Sequence, residues 1–310
     1  MKSALTRRVF LSLTLAACAA AGAAGDVPLD QNLVALFADL HITTDAKNPH
    51  QREGFSTCVR DVLALNPCPA HVLFYGDLSF NHGDTNDYRL LKELVKPLED
   101  ARVRWWACFG NHDRRGSFLS VFPERKEAAP LVPDRMASVV STPYADFILL
   151  DSCLEGPVNG GLDDAQRAWL ERTLAKATKP VFVGAHHPIK ETGVADLLAS
   201  GNVRAAYLYG HNHKWLQQSE AGVETLCLPS TGHWGDIGYV LVKLSSEEAV
   251  FTLHQRDCYA PRPAAKPEDI KPEWKERVRK NDGSQWHFSF KPEETSFAPL
   301  FNGKDLAGWE

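Results

Sequence analysis

Short runs of β-branched and aromatic residues recur along the chain, and five of them end abruptly in polar residues. Apolar runs of this length, bounded by glycine or proline, predict buried β-strands. The five runs are residues 33–38, 71–75, 103–109, 181–185 and 205–209. Together with helical patterns between them, they predict an α/β fold.

Helical spacing of apolar residues predicts helices over residues 51–65 and 84–100, with Pro97 expected to end the second early. Residues 118–133 contain several prolines and no evident periodicity. We predict that they form an irregular insert at the mouth of a functional site, where they would shape substrate choice. Later runs at 226–231, 239–244 and 249–255 are predicted to complete a second sheet.

The polar residues that follow the five runs are all of types that bind metals. They are Asp39-Leu40-His41, Gly76-Asp77, Gly110-Asn111-His112-Asp113, His186-His187-Pro188 and Gly210-His211-Asn212-His213. In open α/β folds ligands collect at the carboxyl ends of the strands, so we expect these clusters to meet. Carboxylate, imidazole and amide oxygen donors suit first-row metals. The pooled ligand set is Asp39, His41, Asp77, Asn111, His186, His211 and His213.

These five motifs, in this order, resemble those of the calcineurin-like metallophosphoesterase superfamily, and within it the class III cyclic-nucleotide phosphodiesterases. The resemblance covers roughly residues 33–244. It implies a two-sheet αββα sandwich with a dinuclear metal site at the carboxyl ends of the strands. It also implies that Asp77 bridges two metals, that His213 binds the first, and that the second is bound by Asn111, His186 and His211.

The implied reaction is hydrolysis of a phosphodiester such as a cyclic nucleotide or a glycerophosphodiester. A hydroxide that bridges two iron, manganese or zinc ions would attack in line. His112 would stay free of metal and donate a proton to the leaving oxygen. Asp113 and His187 would support the local geometry, and His82 and His233 are candidates to line the substrate pocket.

Two alternatives to a phosphodiesterase remain open at this stage. One is an exported phosphomonoesterase or nucleotidase, and the other is a surface lipoprotein whose phosphoesterase domain is vestigial and serves in binding. The intact ligand set favours an enzyme. Phe80 stands three residues after Asp77, where the neighbouring purple acid phosphatases carry a ligand tyrosine, so we expect no tyrosinate-ligated iron.

Composition changes this picture little. The chain has 310 residues, a net charge of −5 and 44% hydrophobic residues, as in ordinary globular proteins. Basic residues form no stripe, so the sequence does not indicate nucleic-acid binding. The small phosphoester is the only partner that the sequence indicates apart from a membrane anchor.

The first 25 residues are predicted to be a targeting segment. Residues 6–11 resemble a twin-arginine export signal, and Leu15-Ala16-Ala17-Cys18 resembles a bacterial lipobox. A lipidated Cys18 would anchor the protein in the periplasm or cell envelope. Cleavage after Ala17 or Ala24 would instead give a soluble secreted protein.

The predicted domains are the signal and tether at residues 1–25, a phosphoesterase domain at 30–257, and a linker and tail at 258–310. Residues 297–310 resemble the opening strand of the 3-keto-disaccharide hydrolase-like β-sandwich domains. Six further cysteines follow Cys18, and their even number in an exported protein permits disulfides without fixing the pairs. They are Cys58, Cys68, Cys108, Cys153, Cys227 and Cys258.

Overall fold

The strands form two six-stranded sheets in a computed structural model that describes residues 27–127, 131–259 and 272–291. In chain order the strands are β1 (Leu29–Ala38), β2 (Cys68–Tyr75), β3 (Arg104–Cys108), β4 (Ser138–Ser141), β5 (Asp146–Leu149), β6 (Val181–Ala185), β7 (Ala205–Tyr209), β8 (Leu216–Glu220), β9 (Val223–Cys227), β10 (Gly235–Leu244), β11 (Glu248–Tyr259) and β12 (Gln285–Ser289). The predictions for the signal segment, Cys18 and residues 297–310 lie outside the described residues.

Helices connect many of these strands. They are α1 (Pro49–Leu63), α2 (Thr85–Asp100), α3 (Arg115–Val121), α4 (Glu124–Glu127), α5 (Asp164–Leu174), α6 (Ile189–Thr192), α7 (Ala195–Ala199) and α8 (Pro272–Asn281). Within the described ranges, none of them has the length and apolar character that a bilayer crossing requires.

The order of the strands brings the five polar clusters to one region. The first sheet has the order β12-β11-β10-β1-β2-β3, in which β1, β2 and β3 are parallel. The second has the order β4-β5-β6-β7-β9-β8, in which β6 and β7 are parallel. Strands that are buried on both faces read as continuous apolar runs, which explains the sequence pattern.

Three layers of apolar side chains hold the sheets and helices together. Phe55 and Val95, from α1 and α2, pack with the outer face of the first sheet. Leu170, from α5, packs with the outer face of the second sheet. Between the sheets lie Phe182 and Phe251, whose rings meet edge to face at 5.0 Å. The predicted two-sheet αββα sandwich is therefore confirmed.

The predicted assignment of the later strands to the second sheet is wrong for β10 and β11. Strand β10 pairs antiparallel with β1, and β11 pairs with β10, so both extend the first sheet. Val240 and Val242 face the layer between the sheets, whereas Tyr239 lies in the layer under α1. This alternation suits either sheet, so the sequence pattern alone did not decide between them.

Strand β12 lies beyond residue 257, the predicted end of the domain, and pairs with β11. Its Trp286 and Phe288 are buried in the layer between the sheets. The packed sheet therefore extends to Ser289.

Pro97 does not end α2 early, because the helix continues to Asp100. The proline lies in the last turn on the exposed face, where its ring faces solvent. Only one intrahelical hydrogen bond is lost there, since proline lacks a backbone N–H. Asp84 caps the start of the helix, and its carboxylate accepts a hydrogen bond from the Asn86 N–H.

The prediction of an irregular insert is also wrong for its first half, which forms α3 and α4. Phe118 and Phe122 are buried, and their rings stack at 4.7 Å. They also meet Tyr88 of α2 and Trp105 of β3 edge to face at 5.5 Å each. The four-residue spacing of the two phenylalanines was the available signal for a helix.

We expect Phe122→Ala to lower the free energy of unfolding by about 3–5 kcal/mol, because it removes a fully buried ring and leaves a cavity. Urea denaturation measures this change. Leu216→Ala, on exposed strand β8, is the control and should change stability by less than about 0.5 kcal/mol. Equal effects of the two substitutions would contradict the packing of this segment.

The cysteines form no disulfide among the described side chains. Five of them are buried free thiols, and the side chain of Cys258 lies outside that part. Burial raises the pKa of Cys58 to about 12, which makes this thiol unreactive. The five are Cys58, Cys68, Cys108, Cys153 and Cys227.

Candidate metal centre

Five of the seven predicted ligands have left-handed backbone conformations. Residues other than glycine seldom adopt positive φ angles, and such strain clusters at functional sites. Each strained residue lies in the turn that follows a strand, where the chain must reverse while its side chain faces the rim. The φ angles are 51° at Asp39, 46° at His41, 48° at Asp77, 65° at His211 and 51° at His213.

Glycines allow the neighbouring turns to approach the carboxylates. A Cβ atom on Gly110 would clash with the Asp77 carboxylate, and one on Gly210 would clash with that of Asp39. The glycine in each motif therefore brings the next strand end directly against a ligand. This explains why Gly-Asn and Gly-His accompany the donors.

Asp39, His41 and His213 form the first group of donors, and all three side chains are buried. His213 Nε2 lies 3.1 Å from Asp39 Oδ1. The Nδ1–H of His41 donates to the Phe80 carbonyl at 3.2 Å, and that of His213 donates to the Trp234 carbonyl at 3.0 Å. Each Nε2 is therefore left to face the group with a lone pair, as in metal-binding histidines.

Two atoms of this group have no hydrogen-bond partner within the protein. Asp39 Oδ2 and His41 Nε2 are buried and accept no hydrogen bond from the protein. An unsatisfied buried acceptor is unfavourable unless something else binds it. The donor set therefore fits a cation at this position.

Asn111, His186 and His211 form the second group. His186 Nε2 lies 3.2 Å from Asn111 Oδ1 and 3.2 Å from His211 Nδ1. The Nδ1–H of His186 donates to the Tyr75 carbonyl at 3.0 Å, which directs its Nε2 into the group. The His211 backbone N–H donates to Asp39 Oδ1 at 3.0 Å, so the two groups adjoin.

Asp77 lies between the two groups. Its Oδ2 is 3.5 Å from His41 Nε2 in the first group and 3.3 Å from His186 Nε2 in the second. Its Oδ1 accepts a hydrogen bond from the His112 backbone N–H at 3.0 Å. One carboxylate thus serves both groups of donors, which is the geometry that a bridging ligand needs. The structure therefore brings together all seven predicted ligands.

The titration of the cluster fits the binding of a divalent cation. Burial alone would raise the pKa of Asp77, but His186 and the other imidazoles hold it well below its ordinary value. Burial opposes protonation of His186, but the Asp77 carboxylate outweighs it and raises the pKa of His186 to about 9. A proton on His186 therefore compensates part of the buried negative charge. A metal ion would displace that proton, since metals bind the neutral imidazole.

His112 lies beside the donors and faces solvent more than they do. Its side chain is 31% exposed, and its Nε2 lies 3.9 Å from Asp77 Oδ2. The Nδ1–H donates to the Asn81 carbonyl at 3.0 Å, which fixes the ring. The second nitrogen is therefore held near the cluster, at the side from which a substrate can approach.

Asp113 organises the turns and has no oxygen left for a metal. Its carboxylate accepts hydrogen bonds from the backbone N–H groups of Leu78, Ser79 and Gly110 and from the Tyr88 hydroxyl at 2.9 Å. Burial, together with the Asp77 charge, raises the pKa of Asp113 to about 6. The residue therefore ties the turn after β2 to the turn after β3. Tyr88 was not among the predicted site residues. Its position on the buried face of α2 was the only sign of this contact.

His187 also uses both ring nitrogens within the protein. Its Nε2–H donates to the Val158 carbonyl at 3.0 Å, and its Nδ1 accepts from the Ser152 hydroxyl at 2.8 Å. Burial, with the neighbouring His186 and His211, lowers the pKa of His187 to about 2, so it is neutral. These contacts suit the predicted supporting role.

An arginine–carboxylate contact lies next to the Ser152 hydroxyl that binds His187. Arg115 donates two hydrogen bonds to Asp151, at 2.7 and 2.8 Å, and Asp151 directly precedes Ser152. Arg115 was not among the predicted site residues.

The two histidines predicted to line the substrate pocket differ in position. The His233 ring lies 4.1 Å from the His41 ring and 5.5 Å from that of His213, so it borders the first group. Gln51 Nε2 lies 3.3 Å from its Nδ1, and burial lowers the pKa of His233 to about 3. His82 is exposed, and no described contact joins it to the cluster.

Comparison with known proteins identifies related sequences. Residues 33–215 match the model of the family described as "Calcineurin-like phosphoesterase". The chain is 27% identical over 232 residues to a probable glycerophosphodiester phosphodiesterase, GpdQ, of Arcobacter nitrofigilis, covering 72% of this chain and 82% of that protein. It is 29% identical over 175 residues to the 3',5'-cyclic adenosine monophosphate phosphodiesterase CpdA of Pseudomonas aeruginosa, covering 52% of this chain and 60% of that protein.

Two solved structures share the fold at low sequence identity. A purple acid phosphatase from yellow lupin seeds matches with a TM-score of 0.55 and 12% identity, covering 83% of this chain and 53% of that chain. The structure of PhoD matches with a TM-score of 0.52 and 12% identity, covering 75% and 67%. At this level of identity the likeness concerns the fold alone.

Proposed function

Because the chain belongs to the calcineurin-like phosphoesterase family, we propose that it is a phosphodiesterase that uses two metal ions. The observation that carries this proposal is the position of Asp77 between two groups of donors. A single carboxylate shared by two sets of nitrogen and oxygen donors has little use other than to bridge two cations.

The seven predicted ligands would divide between two metal sites. Asp77 would contribute to both sites. Iron, manganese and zinc all suit such a set of nitrogen and oxygen donors. Bound metals would withdraw charge from the phosphoryl oxygens and supply a nucleophile at neutral pH. The first metal would be held by Asp39, His41 and His213, and the second by Asn111, His186 and His211.

The remaining side chains would position the substrate and move a proton. His112 Nε2 would donate a proton to the leaving oxygen, because Nδ1 is committed to the Asn81 carbonyl. Asp113 would keep that turn fixed through its backbone contacts. The neutral ring of His233 would border the substrate next to the first metal.

The charges around the site favour a diester over a monoester. Among the described side chains, no lysine or arginine contacts a predicted metal ligand side chain. One guanidinium nitrogen of Arg114 donates to the backbone carbonyls of Asn111 and Asp113. The second negative charge of a monoester dianion would find no fixed cation besides the metals. A diester carries a single negative charge and does not need one. The names of the relatives, a glycerophosphodiester and a cyclic AMP phosphodiesterase, support the same substrate class.

We expect the purified protein to hydrolyse bis-p-nitrophenyl phosphate with a kcat/KM at least about tenfold above that for p-nitrophenyl phosphate. EDTA should abolish turnover, and manganese or zinc should restore it, because the donors need the metals to act. Release of nitrophenolate measures both rates, and glycerophosphocholine and cyclic AMP test the natural linkages.

Three outcomes of this assay would contradict the proposal. A higher rate with the monoester would favour a phosphomonoesterase. Turnover that EDTA leaves unchanged would exclude dependence on metals. No turnover by protein that elemental analysis shows to be loaded with metal would favour a binding role.

A further inference from the structure

A cavity of about 600 Å³ lies at the open side of the sandwich, and no predicted metal ligand lines it. It borders β3 and β4, the strands at the corresponding edges of the two sheets, and helix α3. Cavities of this size hold small organic molecules in many proteins. The mechanism proposed above does not use this cavity.

Most of the cavity wall is apolar and aromatic. Trp105 and Trp106 both line it, although successive residues of a strand point to opposite faces. They do so because β3 is an edge strand, around which the cavity curves. Leu131 and Val139 lie on the same wall with 49% and 37% of their surfaces exposed. An apolar ligand would cover these side chains.

Three arginines line the cavity, and two of them are already paired. Arg115 binds Asp151 at 2.7 Å, and Arg135 binds Asp163 at 2.6 Å. The third, Arg125, forms no ion pair with any described carboxylate. Two carboxylates, Asp134 and Glu155, also line the cavity, and Glu155 lies 3.1 Å from Arg115. For a ligand with a negative charge, Arg125 is therefore the arginine on this wall without a described carboxylate at ion-pair distance.

Arg125 is held in place by contacts that include no ion pair, although Glu124 and Glu99 lie near enough to favour its charged form. Its guanidinium lies 3.7 Å over the Trp105 ring, and one terminal nitrogen donates to the Trp105 carbonyl at 2.9 Å. Its Nε is buried and has no hydrogen-bond partner. Burial lowers the pKa of Arg125 from its ordinary value, but an arginine remains charged at neutral pH. The Trp105 indole N–H donates to Glu99 at 3.1 Å, which fixes the ring beneath the guanidinium.

We infer that this cavity binds a small amphiphile with one negative charge. Its carboxylate, sulfonate or phosphate head would pair with Arg125, and its aromatic or aliphatic body would pack against Trp106 and the exposed Leu131. The competing explanation is that Arg125 only satisfies a carbonyl on the exposed edge of β3. In that case the cavity would bind apolar molecules without regard to charge.

The test compares two fluorescent probes that differ in charge. They are 1-anilinonaphthalene-8-sulfonate, which is anionic, and N-phenyl-1-naphthylamine, which is neutral. We expect both to bind saturably with energy transfer from tryptophan, and Arg125→Gln to weaken binding of the sulfonate about tenfold while leaving the neutral probe unchanged. Arg135→Gln, on the same wall but paired with Asp163, is the matched control and should change neither affinity.

If Arg125→Gln leaves the ratio of the sulfonate and neutral probe affinities unchanged, the inference is wrong. Absence of saturable binding of either probe to the unmodified protein overturns it as well. A second measurement needs no variant and applies if Arg125→Gln fails to fold. Dodecanoate should displace the sulfonate probe from the unmodified protein at about tenfold lower concentration than dodecanol, and equal displacement overturns the inference.

Discussion

Asp77→Asn is expected to remove metal binding and phosphodiester hydrolysis together, with kcat/KM falling by at least about a thousandfold. Asparagine has nearly the same shape and can still accept the His112 backbone hydrogen bond. It lacks the negative charge, and its amide nitrogen cannot bind a cation. Since Asp77 lies within 3.5 Å of donors in both groups, the loss affects both metal positions.

Metal content measured by elemental analysis, beside the rate with bis-p-nitrophenyl phosphate, checks this prediction. Asp100→Asn is the matched control, because Asp100 is exposed and pairs with Lys96 one helical turn away. It should leave both quantities unchanged. If Asp77→Asn retained two metals per chain, the bridging role would belong to another residue.

His112→Ala should lower kcat by about a hundredfold to ten-thousandfold while metal content stays nearly the same. His112 is assigned to the leaving oxygen, so its loss should matter most when that oxygen is a poor leaving group. An alkyl ester such as glycerophosphocholine should therefore be affected more than a nitrophenyl ester. Rates with both esters, at saturating metal, measure this difference.

His82→Ala is the control for this substitution, because His82 is an exposed histidine nearby in the chain with no described contact to the cluster. We expect its rate to stay within about twofold of that of the unmodified protein. Loss of metal in His112→Ala would mean that His112 is a ligand. A fall of equal size for both esters would mean that it acts before the bond to the leaving oxygen breaks.

The local sequence contained most of the information about the metal centre. Each ligand follows a buried strand by one to four residues, and adjacent parallel strands carry such residues to the same end of a sheet. A strand-and-turn pattern is enough to predict this convergence. The pairing of specific atoms, such as His186 Nε2 with Asn111 Oδ1 across the two sheets, depends on how the sheets pack, and no local pattern encodes that.

The errors concern features that depend on tertiary packing. Strand β10 alternates in a way that either sheet could accommodate, and only its pairing with β1 decides the matter. Segment 118–133 contains prolines, but Phe118 and Phe122 gain enough burial to hold a short helix. The cavity beside Trp106 was equally hidden, because it forms where the edges of two separate sheets come together.

The left-handed turns bear on what the ligand set costs the fold. A non-glycine residue in that conformation costs about 1 kcal/mol. Substitution by glycine at any of these positions would therefore raise the stability of the fold. Glycine in place of His211, for example, would relieve its backbone and remove a donor in one step. The strain at these five donors therefore lowers the stability of the unliganded fold, and a cation bound by the same side chains would offset that cost.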